Sequence, residues 1–142
     1  MGKTRRECSV QMMKVAAACG VVFAILDAIW LGLVMSGFYR SQLAPIVRLS
    51  ADGGIAPNWP AAFFVYVLLG IGIATFVMPN ATSVASTAAY GALFGLVVYG
   101  VYDLTNYSTL KEYPLAVTLV DMCWGAFATA VCGITTRAIV GS

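Results

Sequence analysis

Three aspartates, Asp27, Asp103 and Asp121, lie inside or beside long apolar runs, and two of them open the same short pattern. "DAIW" puts Trp30 three residues after Asp27, and "DMCW" puts Trp124 three residues after Asp121. Residues i and i+3 share one helix face. A carboxyl group accepts hydrogen bonds and an indole donates a single one, so each pair is half of a possible clamp between two helices. An ionised aspartate at the centre of a membrane helix costs roughly 2.5–3.5 kcal/mol. Asp27 is therefore expected to face a bundle interior, protonated or partnered. It can serve as a proton or cation site or as a structural hydrogen-bond node. Asp121 has the same two readings at shallower depth. Asp103, near a run's end, reads as a helix-end or interface carboxyl within reach of water, and with Asn106 it is grouped with Asp27, Trp30, Asp121 and Trp124 in one buried polar cluster, structural or functional.

Other chemistry is excluded by what the chain lacks. It has no histidine, which removes the commonest general base and metal ligand. Haem ligation by histidine, histidine-box iron and histidine-based triads go with it. Cys8, Cys19, Cys123 and Cys132 show no CxxC or metal spacing, and the last three sit in apolar runs, where cysteine packs as a small hydrophobe. No phosphate loop, dense acid cluster or nucleophile–base pair appears, so no metal, cofactor or catalytic residue is assigned.

The elements that must position these acids follow from the hydrophobic pattern. With 61% hydrophobic and 10% charged residues, the composition is that of a membrane protein rather than a soluble one, which carries about 25% charged residues. Four apolar runs of about 20 residues each match a hydrocarbon core of roughly 30 Å. They predict spans near 15–36, 60–78, 84–105 and 115–137, in an all-α, four-helix transmembrane bundle. Residues 1–14 form a basic N-terminal tail, and 15–140 a single four-span domain. The 21-residue first run is longer than a signal-peptide core of about 7–15 residues, so a retained helix is expected.

The tight 79–83 connection predicts antiparallel neighbours for spans two and three. The longest connection, 37–59, carries Phe38, Tyr39, Leu43, Ile46 and Val47 with Arg40 and Arg48, predicting a short interfacial helix between spans one and two. Tyr39, Arg40, Trp59, Tyr102 and Tyr113 are assigned to the membrane interface, where aromatic belts form. In span three, Gly91 and Gly95 open a stripe that continues through Tyr99, Asp103 and Asn106; with Gly125 they predict close helix packing. Lys3, Arg5, Arg6, Lys14 and Arg137 outnumber Arg40, Arg48 and Lys111, placing both termini on the cytoplasmic or matrix-like side.

Depth then pairs the acids with the indoles. Asp27 lies about 13–14 Å in from Ser36, and Asp121 about 9 Å in from Leu115 on the same side. Antiparallel first and fourth spans bring Trp124 level with Asp27 and Trp30 level with Asp121. Reciprocal hydrogen bonds are the expectation.

The stretches "LDAIWLGLV…FYRSQLAPI", "PNWPAAFFVYVLLG" and "GALFGLVVYGVYDLTNYSTLKEYPLAVTLVDMCWGAF" resemble the small membrane proteins grouped as domain of unknown function 2177. The resemblance runs from about Leu26 to Phe127. Its signature positions fall on Asp27, Trp30, Tyr39, Tyr102, Asp103, Thr105, Asn106, Pro114, Asp121, Trp124 and Gly125. Tyr113 departs from it, standing where members usually have Trp. The resemblance implies four transmembrane helices and brings no established activity.

Three function classes stay open. The foremost is a non-catalytic accessory or structural subunit of a larger membrane complex, such as an energy-transducing one, with two alternatives. A second is a small dimeric proton-coupled transporter, and a third is a lipid-modifying enzyme using buried aspartates. The expected partners are membrane lipids and other membrane subunits or a second copy. Nucleic acid is not one, given a net charge of only +2 and scattered basic residues. The expected location is the bacterial cytoplasmic membrane or an organelle membrane such as the mitochondrial inner membrane.

Overall fold

The computed structural model describes residues 5–140. Helix α1 runs Arg5–Ile29 and continues through a π-helical turn, Trp30–Val34; α2 is Ser36–Gln42. Helix α3, Trp59–Gly72, passes into a second π turn, Ile73–Val77, and a 3-10 turn, Met78–Asn80. Helices α4, Val84–Thr109, and α5, Leu115–Val140, complete the bundle. The four long helices are each long and apolar enough to cross a membrane. The chain is an all-α bundle of membrane-spanning helices.

Local chemistry sets the boundaries. Asn58 caps α3 by accepting a hydrogen bond from the Ala61 amide at 3.2 Å, with Pro60 in the first turn. Ser83 and Ser86 form a reciprocal capping box at the start of α4. Pro114 cannot continue α4, and its carbonyl accepts from the Val117 and Thr118 amides as α5 begins. The 37–59 connection keeps its expected helix only as the seven residues of α2. The rest is turns closed by an isolated antiparallel bridge between Leu49 and Ile55. Gly53, at φ 78°, turns its carbonyl to accept from Arg40 Nη1 at 3.0 Å.

The first helix begins earlier than the apolar run. Residues 1–4, with Lys3, lie outside the described residues, but from Arg5 the expected tail is already helical. Glu, Gln, Met and Lys in 7–14 are good helix formers and extend α1 past the oily stretch.

Packing follows membrane rules. Large apolar residues such as Leu33, Leu68 and Phe76 point outward, while glycines, threonines and cysteines fill the seams. Helix α5 lies at the centre, against α4 along most of its length and against α1. A Cβ at Gly91 would meet the Thr129 carbonyl at 2.9 Å, and Gly95 and Gly125 leave still less room. Thr129 Oγ1 crosses that seam to the Gly91 carbonyl at 2.7 Å. On the α1 side, Cys19 Sγ lies 3.1 Å from Thr136 Oγ1, and Cys132 Sγ reaches the Cys19 carbonyl at 3.2 Å.

One expected neighbour pair meets only in part. Helices α3 and α4 touch chiefly at their turn, through the π segment 73–77. The Phe94 ring lies where a side chain at Gly72 would stand. Above it the two helices leave an apolar cleft of about 440 Å³. Helix α3 instead packs on α1, where Gly70 sits against the Ala16 backbone.

Candidate functional site

The three aspartates come together at the end of the bundle that carries α2 and the 110–114 link. Trp124 Nε1 donates to Asp27 Oδ1 at 2.8 Å, joining α5 to α1. The expected partner bond differs. Trp30 Nε1 donates to the Tyr39 hydroxyl at 3.1 Å, and that hydroxyl donates to Asp121 Oδ1. The two indoles stack, with centroids 4.3 Å apart and planes 3° from parallel. They thereby fill the α1–α5 seam, and Tyr39, folding back on α2 after the π turn, reaches Asp121 in place of Trp30. The clamp is direct on one side and relayed on the other.

Tyr39 and Tyr113 depart from the interface assignment. Both are buried, at 4% and 8% exposure. Tyr113 donates to Asp103 Oδ1 at 2.5 Å. Asp103 in turn is not the water-reaching carboxyl expected at a helix end; it is fully buried. The short link that ends α4 at Thr109 and restarts the helix at Leu115 folds Tyr113 over it. Burial first, and the bonds to Asp121 and Asp103 second, push the Tyr39 and Tyr113 phenols above the ordinary tyrosine range. Arg40, Trp59 and Tyr102 are exposed around the same end, as interface residues would be. Asn106 is half-buried and joins no hydrogen bond of this network.

The carboxyl of Asp103 lies within hydrogen-bonding reach of Asp121, and the Tyr66 hydroxyl lies beside Asp27. No lysine or arginine pairs with any of the three aspartates among the described residues. Asp103 Oδ2 is buried with no hydrogen-bond partner. A proton held between Asp103 and Asp121 would give that oxygen a hydrogen bond. Among the described residues no group of three acids or cysteines converges closely enough to hold a metal ion.

Two cavities meet at Asp27. One, of about 690 Å³, lies between α1 and α3 beneath the 37–59 connection, with Arg40 and Trp59 near its mouth and Tyr66 on its wall. The other, of about 340 Å³, is lined by Asp27, Tyr39, Tyr99, Tyr113, Asp121 and Trp124. The sequence reading missed Tyr66 and Tyr99 as neighbours of the acids. Tyr99 stood in the α4 stripe, but nothing in the sequence marks which face of α3 carries Tyr66 toward α1.

Comparison with curated proteins and with solved structures returns no match. The family described as "Predicted membrane protein (DUF2177)" matches residues 12–138, spanning all four long helices and the whole acid cluster, and the chain belongs to that family.

Proposed function

We propose that this integral membrane protein binds and exchanges protons at the Asp27–Asp103–Asp121 cluster, in the manner of a small proton-coupled transporter. The observation that carries this is the unpartnered buried oxygen of Asp103 beside Asp121, in a cluster with no basic counter-charge. Two carboxylates this close in the membrane interior repel, so one proton between them is strongly favoured. The adjoining cavities give the cluster a route to water and to a ligand. The test is infrared spectroscopy of the full chain in lipid, titrated from acid to alkaline pH. A protonated-carboxyl band should titrate and be diminished in both Asp103→Asn and Asp121→Asn. No such band at any pH, or a band unchanged in both variants, overturns the reading.

The accessory-subunit reading makes the same cluster internal glue. The Gly91–Gly95–Gly125 seam supports it, since so closely packed an α4–α5 pair is a scaffold in its own right. Glue has no use for a buried acid oxygen left without a partner. Native mass spectrometry after gentle solubilisation decides: co-migration with a large complex favours the subunit, and a clean dimer the transporter. A lipid-modifying activity has only the buried carboxyls and the tyrosine hydroxyls bonded to them behind it.

A further inference from the structure

We infer that Asp27 is the receptor for a monovalent organic cation with an apolar body, seated where the two cavities meet. The inference deepens the proton-exchange reading and rests on it only for the source of the displaced proton. Asp27 belongs to both cavities, and one of its oxygens is already fixed by Trp124. The carboxyl is thus aimed and held, not free to swing away. The walls around it are aromatic or small and apolar: Tyr66, Trp59, Ala24 and Ala28 on the larger side, Tyr99 and Trp124 on the smaller.

A carboxylate set among aromatic rings recognises a quaternary or protonated amine, by charge and by the ring faces. An anion would meet Asp27 and Asp121. A hydrated metal ion would find too few oxygens converging. The titratable and charged groups around Asp27 and its cavities are Tyr66 on α3, Tyr99 and Tyr102 on α4, Asp121 and Cys132 on α5, Tyr39 and Arg40 on α2, and Tyr113 in the link before α5. Only Arg40 is cationic, and it sits at the exposed mouth with one guanidinium nitrogen on the Gly53 carbonyl. The larger cavity also runs into an apolar groove of about 480 Å³ along the same α1–α3 seam, sharing Ala24 and Tyr66 with it. The groove offers the cation's apolar body a path from the lipid.

The exchange balances simply. A cation seats against Asp27, the carboxyl releases its proton to water through the cavity, and the site's net charge is unchanged.

The experiment uses the full chain in lipid nanodiscs, with phenyltrimethylammonium as probe and tert-butylbenzene as its neutral counterpart of the same shape. The probe has no proton to give, so any proton released comes from the protein. Binding is read by tryptophan fluorescence, since Trp30 and Trp124 stack beside the site, and proton release by a pH-indicator dye. Saturable binding of the cation alone is expected, with about one proton released per cation bound. Asp27→Asn should weaken it at least tenfold. Ala28→Phe, which fills the cavity and keeps the carboxyl, should do the same and stands in if the first variant fails to fold. Asp52→Asn, in the exposed turn, should change nothing.

Equal response to tert-butylbenzene, undiminished binding in Asp27→Asn, or the same proton release with sodium alone overturns the inference. Cation binding without proton release keeps this site and overturns proton exchange. Titrating carboxyls with no cation binding does the reverse.

Discussion

At the scale of single residues, the site is an account of donors and acceptors in which each side chain has few alternatives. Trp124 has one N–H, and Asp27 takes it. Asp27→Asn keeps an acceptor and should leave thermal stability nearly unchanged, whereas Asp27→Leu strands the indole and should cost about 1–3 kcal/mol. Chemical unfolding in mild detergent separates the two. Tyr39 serves two partners at once, so Tyr39→Phe should cost a similar 1–3 kcal/mol. Tyr102→Phe, at an exposed position, should stay within about 0.5 kcal/mol. The Tyr39 phenol also sets a pH dependence. Its folded pKa lies above the unfolded value of about 10, so its contribution is fully present below pH about 10 and is lost as pH rises through the folded value. Alkaline absorbance titration should show late-ionising tyrosines, Tyr39 and Tyr113 among them, with a smaller late amplitude in Tyr39→Phe; an unchanged titration counts against the burial of this group.

At the scale of elements, the α4–α5 pair is the rigid part and the α1–α3 pair the open one. Gly95 faces Gly125 and Thr129 with no room for a Cβ. Gly95→Leu should therefore cost about 3 kcal/mol or more, at the upper end of overpacking effects, and be read as loss of folded protein on detergent extraction. Thr129→Val removes one interhelical bond and should cost only about 0.6 kcal/mol, the average for such bonds in a membrane. If the two variants behave alike, the seam is held by something other than close approach. The π turn at Trp30–Val34 belongs here too. Met35 N reaches the Trp30 carbonyl at 2.7 Å, and the extra residue in that turn lets the chain break into α2 and bring Tyr39 back to the cluster. Such turns recur at functional sites.

At the scale of the molecule, the acids, the two cavities that meet at Asp27 and the longest connection share one end, and the start of α1 and the last turn of α5 lie at the other, where Gln11 Nε2 donates to the Val140 carbonyl at 3.4 Å. Arg137 marks the terminal end, donating to the Ala81 and Thr82 carbonyls at 3.0 and 3.2 Å beside the α3–α4 turn. In a Cys123→Ala background, Cys8 and a cysteine replacing Lys111 should label from opposite faces of the membrane. Labelling from the same face would break the four-span topology.

Run length and polarity were enough to determine the all-α class, the four spans and the close-packing glycines, because lipid forces backbone hydrogen bonds inside the helix and leaves little alternative. Depth along the helices was enough to pair Trp124 with Asp27, because a rise of about 1.5 Å per residue is independent of the rest of the fold. Rotation and folding-back are not so independent. That Tyr39 stands between Trp30 and Asp121, that Tyr113 roofs a fully buried Asp103, and that Tyr66 turns toward Asp27 depended on a π turn, a ten-residue return and the azimuth of α3. Each is settled by contacts between segments far apart in the chain, and a one-dimensional pattern of apolar residues carries no record of them.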